Sequence, residues 1–383
     1  MRNGGKIMKN PFVYGKEVTK ENFCNRTDEI HELTRDIENS QNVLIFSQRR
    51  FGKTSLIKRI YEELDSKRII TLYVDLYPVL TEKDFIKIYA RAVSDIVTKG
   101  VVDKIKDLSG IFKRIRPTVS TDPTGQSTFS VDFKKEETLP AIEDVLDSLS
   151  RYIDKEGKQA VVCFDEFQQI TQLKTDRLEK QMRSNFQAHE KISYIFMGSK
   201  KHLICEAFNN PNRPFYRSAK PLPLKKIQNK KMKIFIKDKF KKNGKEIPDN
   251  VINKILKVCE SHPYYIQYLC HIVWENAIDK KEVTEKEFNE SLKNLLERES
   301  SAFTATWDLL SVKQKQVLIA LAEENSQEQI FATDFLKKYD LGSASSVQRT
   351  IKSLLKKDLV DKTDEMYSII DVIFKKWIIT HRA

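Results

Sequence analysis

The sequence predicts an α/β fold with a parallel-sheet core, followed by a helical domain and a C-terminal winged helix. Three observations predict it. Short, almost continuously apolar runs alternate with segments of helical period through the first half of the chain. The strand-like runs stop after Pro221-Leu222-Pro223-Leu224 and only helical patterns follow. Beyond Trp307, three helical patterns lead into two short strand-like runs, the order of a winged helix.

Taken in order, the runs Asn42–Phe46, Ile69–Asp75, Ala160–Asp165 and Ile192–Met197 are apolar on both faces, as strands of a parallel sheet covered on both sides must be. Helical periodicity falls between them at Lys53–Leu64, Glu82–Val97, Leu139–Ile153 and Arg177–Ala188. Arg116 to Phe133, with Asp122-Pro123-Thr124-Gly125 at its middle, reads as a β-hairpin inserted into that alternation. The helical domain is expected at Met232–Lys242, Asp249–Cys259, Tyr264–Ala277 and Glu285–Glu299. The winged helix follows as Val312–Glu323, Thr333–Tyr339 and Ser345–Lys356, with strands around Val360 and Met366–Ile369. The expected domains are residues 1–224, 225–300 and 301–383, with a hinge at Arg298–Thr306 where Ser300-Ser301-Ala302 interrupts the apolar pattern.

A content of 40% hydrophobic and 32% charged residues, with 11 Gly and 11 Pro, excludes collagen-like and disordered classes. No apolar run approaches the roughly 18 residues of a membrane span, and Met1 to Lys6 leads into no apolar export segment, so cytoplasmic residence is expected. Cys24, Cys163, Cys205, Cys259 and Cys270 contain no CxxC pair, which argues against a disulfide framework or a zinc site. The net charge of +13 is concentrated between Lys200 and Glu260, with 17 basic against 5 acidic residues; from Ser301 onward 12 basic residues meet 11 acidic ones. A duplex-reading tail would carry a basic footprint, so the balance there weakens DNA binding as the tail's role. The lysine-rich stretch Lys225–Lys245 reads either as a solvated basic face or as a contact for nucleic acid or an acidic partner.

Directly after the first strand stands Ser47-Gln48-Arg49-Arg50-Phe51-Gly52-Lys53-Thr54-Ser55, the phosphate-loop pattern GxxxxGK[ST] with Ser47 in place of its first Gly. A strand, a tight loop and a helix start aim backbone N–H groups at a nucleotide's phosphates. Lys53 would reach the terminal phosphates, Thr54 would hold Mg²⁺, and Gly52 lets the backbone come close. Arg49 and Arg50 read equally as loop salt bridges. The strand Val161-Val162-Cys163-Phe164-Asp165-Glu166 ends in two carboxylates, a Walker B pattern. Asp165 would hold the Mg²⁺ and Glu166 would polarise the attacking water. Ser199 ends the next strand at the same sheet edge, where AAA+ proteins keep a polar sensor.

Asn10-Pro11-Phe12, Phe23-Cys24-Asn25-Arg26 with Glu29, Arg49 through Leu56, Phe164-Asp165-Glu166-Phe167, Gly198-Ser199, Pro214-Phe215-Tyr216 and His262-Pro263-Tyr264-Tyr265 together resemble the archaeal ATPase family, a STAND branch of AAA+ P-loop ATPases with bacterial members. The resemblance implies an AAA+ ATP-binding core, a helical lid and a C-terminal winged helix. It implies further that Phe23 to Arg26 border the adenine and that His262 and Pro263 close over the base. A first-turn proline is the bland reading of Pro263. Arg183 and Arg217 are the candidate arginines for the γ-phosphate, within the chain or across a subunit interface; Tyr216 stands before Arg217 where relatives often have Gly.

The expectation is an ATP-dependent switch with slow or partner-stimulated hydrolysis, using ATP and Mg and meeting a protein partner through the winged helix. The alternative is a DNA-binding ATPase resembling Orc/Cdc6 initiators or transposition ATPases, with Arg349, Lys352, Lys356 and Lys357 available for phosphates. No Asn-Lys-x-Asp motif points to a GTPase and no HExxH to a metalloprotease.

Overall fold

The structure, a computed structural model, describes residues 9–18, 20–98, 108, 110–121, 127–132, 138–324, 329–363 and 365–381. The chain forms two compact units. One is Arg26–Lys225; the other joins the N-terminal residues up to Asn25 to Lys226–Ala383.

The first unit runs α1 (Thr27–Glu38), β1 (Val43–Phe46), α2 (Lys53–Glu63), β2 (Ile69–Asp75), α3 (Glu82–Thr98), β3 (Arg116–Thr121), β4 (Ser127–Asp132), α4 (Thr138–Glu156), β5 (Gln159–Asp165), α5 (Gln168–Thr171), α6 (Arg177–Ala188), β6 (Ile192–Gly198), α7 (Lys201–Asn209) and β7 (Lys220–Pro223). A five-stranded parallel sheet has the order β2-β5-β6-β1-β7. The runs of β1, β5 and β6 are buried on both faces because helices cover both, whereas the edge strand β2 is only partly buried, and Phe164 stacks among Tyr89, Phe186, Tyr194 and Phe196 at the centre of this core. β1, β5 and β6 lie side by side and parallel, so their carboxyl ends, where Ser47, Asp165 and Ser199 stand, share one sheet edge.

β7 is a strand the periodicity does not announce, because Pro221 and Pro223 occupy two of its four positions. It survives as an edge strand: Lys220 and Leu224 donate their N–H groups to Asn42 and Phe46, 2.8 and 3.0 Å away, and the two residues without an N–H are on an edge that needs none. The expected hairpin is β3–β4, paired antiparallel from Arg116–Asp132 to Thr121–Ser127; its turn, Asp122-Pro123-Thr124-Gly125, lies outside the described residues.

The segment entering that hairpin is held by Asp144 of α4. This buried carboxylate accepts N–H bonds of 2.8–3.1 Å from Lys113, Arg114 and Ile115, and Arg151 approaches it at 2.6 Å while also donating to Ile111 O at 2.7 Å. Three backbone donors, that of Ile115 buried, and the Arg151 guanidinium would lose their acceptor in Asp144→Ala, which is expected to lower stability by about 3–5 kcal/mol. Urea unfolding measures that loss, and faster tryptic cleavage at Lys113 and Arg114 would localise it; an unchanged midpoint would show that the carboxylate does not hold the segment.

The second unit contains α8 (Asn229–Lys242), α9 (Asp249–Val258), α10 (Pro263–Asn276), α11 (Glu285–Asp308), α12 (Val312–Glu323), α13 (Thr333–Lys338), α14 (Ala344–Lys356), β8 (Val360–Thr363), β9 (Met366–Ile369) and α15 (Val372–His381). The N-terminal segment packs here: Phe12 lies against Phe240, Tyr14 stacks on Tyr268 at 4.0 Å, and Asn22 accepts from Lys239 and Gln267. α8 buries Met232, Ile236 and Phe240 and turns Ile234 outward. One residue of the lysine-rich stretch is structural. Lys245 is buried and donates to the carbonyls of Ala277, Ile278 and Lys280, capping the end of α10.

The hinge expected at Arg298–Thr306 is absent. α11 is one helix of 24 residues, opened by a Thr284–Glu287 capping box and continuous through Ser300-Ser301-Ala302. The serines are helical because the helix is held from outside: Phe303 and Trp307 pack on Phe374 and Trp377 of α15, and the Trp377 indole N–H donates to Ser300 Oγ at 3.1 Å. Tertiary burial has overridden a local break signal. Among the described residues, no helix is long and apolar enough to cross a membrane.

Candidate functional site

Ser47 needs no left-handed backbone, so it replaces glycine at the start of the loop without strain. The left-handed positions are Arg50, φ 62°, and Gly52, φ 87°, which turn the chain into α2. No carboxylate stands in the first turn of α2 and no side chain caps it. The start of that helix therefore keeps the positive end of its dipole for an anion.

Lys53 is buried, and its ammonium donates to Ser47 O at 3.3 Å, Ser47 Oγ at 3.3 Å and Gln48 O at 3.2 Å. Burial lowers its pKa to about 8, against the upward pull of Asp165 and Glu166. Thr54 Oγ1 donates to Asp165 Oδ2 at 3.1 Å, and Asp165 Oδ1 accepts the N–H of Glu166 at 2.9 Å. Burial also raises the Asp165 pKa, opposed by a hydrogen bond from the Tyr73 hydroxyl. A hydroxyl beside a carboxylate is an all-oxygen donor pair of the kind Mg²⁺ takes, so Thr54 and Asp165 fit that ion. No group of three or more His, Cys, Asp or Glu side chains suited to a metal occurs among the described residues.

Glu166 has φ 53°, a left-handed conformation uncommon for this residue type. Its Oε2 accepts from Ser199 Oγ at 2.9 Å, from Ser199 N at 3.4 Å and from the Gln168 amide. Lys53, Thr54, Asp165, Glu166 and Ser199 are thus brought together. Gln48, Arg49, Arg50, Phe51, Gly52 and Ser55 line the same loop and helix start, with Arg49 and Arg50 exposed and Phe51 and Ser55 buried.

Arg183 and Arg217 make no hydrogen bond or ion pair with Lys53, Asp165, Glu166 or Ser199; Arg217 has φ 51° and its guanidinium lies 5.2 Å from the Tyr216 ring centre. Phe23, His262 and Pro263 belong to the second unit. There His262 is buried 5.1 Å from the Tyr265 ring, and Pro263 takes the first position of α10.

A family model described as "ATPase domain predominantly from Archaea" matches residues 23–269, well over half the chain. The chain belongs to this family. A second model, "Probable winged helix domain", matches residues 301–380 of this archaeal-type ATPase. An uncharacterized ATP-binding protein of Methanocaldococcus jannaschii is 29% identical over 196 residues, 49% of this chain and 44% of the relative. The chain thus spans about half the length of the curated relatives it matches. Among solved structures, a Walker-type ATPase of Pyrococcus abyssi superposes with a TM-score of 0.66 at 17% identity, covering 96% of this chain and 99% of that one. The ORC2 protein of Aeropyrum pernix, solved as ADPNP–ADP complexes, gives 0.58 at 13% identity, covering 94% and 97%. At these identities the likeness is one of fold: an AAA+ P-loop sheet core with a winged helix.

One neighbour of Asp165 escaped the sequence. Tyr73, in the middle of β2, pairs in register with Cys163 two residues before Asp165, and only that register brings its hydroxyl to the carboxylate. Arg26 makes bonds that the sequence does not reveal. It is buried, and its guanidinium donates to Glu29 Oε1 at 2.9 Å, Lys225 O at 3.0 Å and Phe51 O at 3.1 Å. Three acceptors in different directions suit a planar fork and not a point charge. Arg26→Lys is therefore expected to lose about 2–4 kcal/mol of stability despite its kept charge, read as a lowered denaturation midpoint. A midpoint equal to wild type would mean that the fork is dispensable.

Proposed function

We propose that this protein is a nucleotide-dependent switch. Mg-ATP binds at the phosphate loop Ser47–Ser55, slow hydrolysis resets the protein, and the winged helix meets a protein partner. The reading is supported above all by one cluster: a buried cation, a hydroxyl, two carboxylates and a serine gathered at the carboxyl ends of β1, β5 and β6 beside an uncapped helix start. In it Lys53 and the backbone N–H groups of the loop bind the phosphates. Thr54 and Asp165 hold the magnesium, which when bound neutralises phosphate charge. Glu166 takes the proton of the attacking water and Ser199 orients Glu166. With neither Arg183 nor Arg217 bonded to this cluster, hydrolysis is slow until a partner supplies a further cation.

Coupling to the output is supported by Arg26. The two units are joined covalently at Asn25–Arg26 and Lys225–Lys226, and the Arg26 guanidinium bonds both the Lys225 carbonyl and the Phe51 carbonyl of the phosphate loop. A rearranged loop is felt at both links. Hydrogen exchange of the full chain with Mg-ATP and with Mg-ADP tests this: protection at residues 24–28 and 223–228 is expected to differ between the two, since a ligand shifts an equilibrium only by its differential affinity. Identical exchange in both states overturns the switch.

One observation favours DNA as the partner. On α14, Arg349, Lys352 and Lys356 are exposed and form no ion pair among the described residues. A gel shift with duplex DNA decides: phosphate contact requires affinity to fall steeply with salt, and absence of a shift at low salt removes this reading.

A further inference from the structure

Gln168 stands at the site without belonging to any motif. It opens α5 directly after β5 and is 1% exposed. A buried amide is held by what bonds it, because leaving it unbonded costs about 1–3 kcal/mol. Its Nε2 donates to Glu166 Oε2, and its Oε1 has no hydrogen-bond partner among the described residues. The amide faces this way because a carboxylate only accepts.

The space for that amide is made by Gly198. A Cβ at position 198 would overlap Gln168 Oε1 and sit 2.8 Å from Ile204 Cδ1. The backbone of Gly198 is not left-handed, so glycine is required there for room and not for conformation. Every side-chain hydrogen bond of Glu166 falls on Oε2, from Gln168 and from Ser199. Oε1 takes none from the described residues.

We propose that Gln168, seated against Gly198, is a positioning residue that holds Glu166 Oε2 on Ser199 and leaves Glu166 Oε1 to accept a proton from water. This rests on the reading of Glu166 as the base for ATP hydrolysis. In that step the water oxygen bonds to the terminal phosphorus and its proton passes to Oε1. The bond from phosphorus to the bridging oxygen breaks, and ADP leaves with the electron pair. A carboxylate fixed through one oxygen presents the other in a single direction, whereas a freely rotating one is seldom aligned.

The test uses the full chain, with ATP turnover and Mg-ADP affinity measured side by side. Gln168→Leu keeps apolar volume and removes the donor. It is expected to lower kcat at least tenfold while KM and Mg-ADP affinity stay within about twofold. Gly198→Ala, which displaces the amide, is expected to give the same split. The double variant is expected to be no slower than either single one, because both remove one interaction. A merely structural role would lower affinity and stability together. Should Gln168→Leu not fold, Gln168→Met replaces it. Turnover by Gln168→Leu or Gln168→Met at or above the wild-type rate overturns the assignment, as does strict additivity with Gly198→Ala. If Glu166→Gln turns over like wild type, the underlying reading of Glu166 fails instead. If Glu166→Gln is slow and Gln168→Leu is not, only the Gln168 assignment is lost.

Discussion

Lys53→Ala is expected to abolish the thermal stabilisation that Mg-ATP gives the wild-type protein, with little change in the melting temperature of the nucleotide-free chain. The asymmetry follows from where the ammonium is. Among the described residues, Lys53 donates only to the loop oxygens Ser47 O, Ser47 Oγ and Gln48 O, acceptors that water can serve once the side chain is gone. Phosphate oxygens beside the uncapped start of α2 have no such substitute for a buried cation. Losing it costs about 3–5 kcal/mol, or roughly 10²–10³-fold in affinity or more. At a nucleotide concentration 100 times the wild-type Kd, the wild type gains about 2.7 kcal/mol and the variant almost nothing. The pH dependence gives a second check. Burial holds the Lys53 pKa at about 8 in the free protein, so above that pH the lysine must take up a proton as the phosphates bind. Affinity is expected to weaken as pH rises past 8 and to be independent of this group well below it. A variant that keeps the full Mg-ATP shift would remove the phosphate-loop reading.

What was legible in the sequence is what local pattern encodes. The strands β1, β5 and β6 are legible because burial on both faces forces an almost unbroken apolar run, and the loop Ser47–Ser55 because phosphate binding demands small and cationic residues at fixed spacing. What was not legible depends on partners distant in the chain. β7 has two prolines and becomes a strand only because β1 offers an edge that needs few donors. Ser300-Ser301-Ala302 carries a break signal, but Trp377, far along the chain, keeps the helix intact. A cut after Ser301 would accordingly strip Phe303, Trp307 and α15 from the core they share with α8, α9 and α10, and is no test of an independent tail. Tyr73, Gln168 and Asp144 carry no motif at all; each acts through a register, a neighbouring glycine or a turn that only the fold supplies.

Glu166→Gln is expected to bind Mg-ATP within about threefold of wild type and to hydrolyse it at least 100-fold more slowly. Gln keeps the length and planarity of Glu and can still accept from Ser199 Oγ, but it has no basic oxygen for the proton of water, and general-base catalysis is worth about 10²–10⁴ in rate. The backbone provides the control that separates chemistry from strain. Residue 166 sits at φ 53°, a conformation that costs a non-glycine residue about 1 kcal/mol or more, so Glu166→Gly relieves strain as it removes the base. Glu166→Gly is therefore expected to lose turnover as fully as Glu166→Gln while its melting temperature holds or rises. Single-turnover hydrolysis and thermal unfolding of both variants measure the two effects separately. Unchanged turnover in Glu166→Gln would take Glu166 out of the reaction. Loss of Mg-ATP binding in that variant would assign the carboxylate to holding the magnesium or phosphates instead of the water.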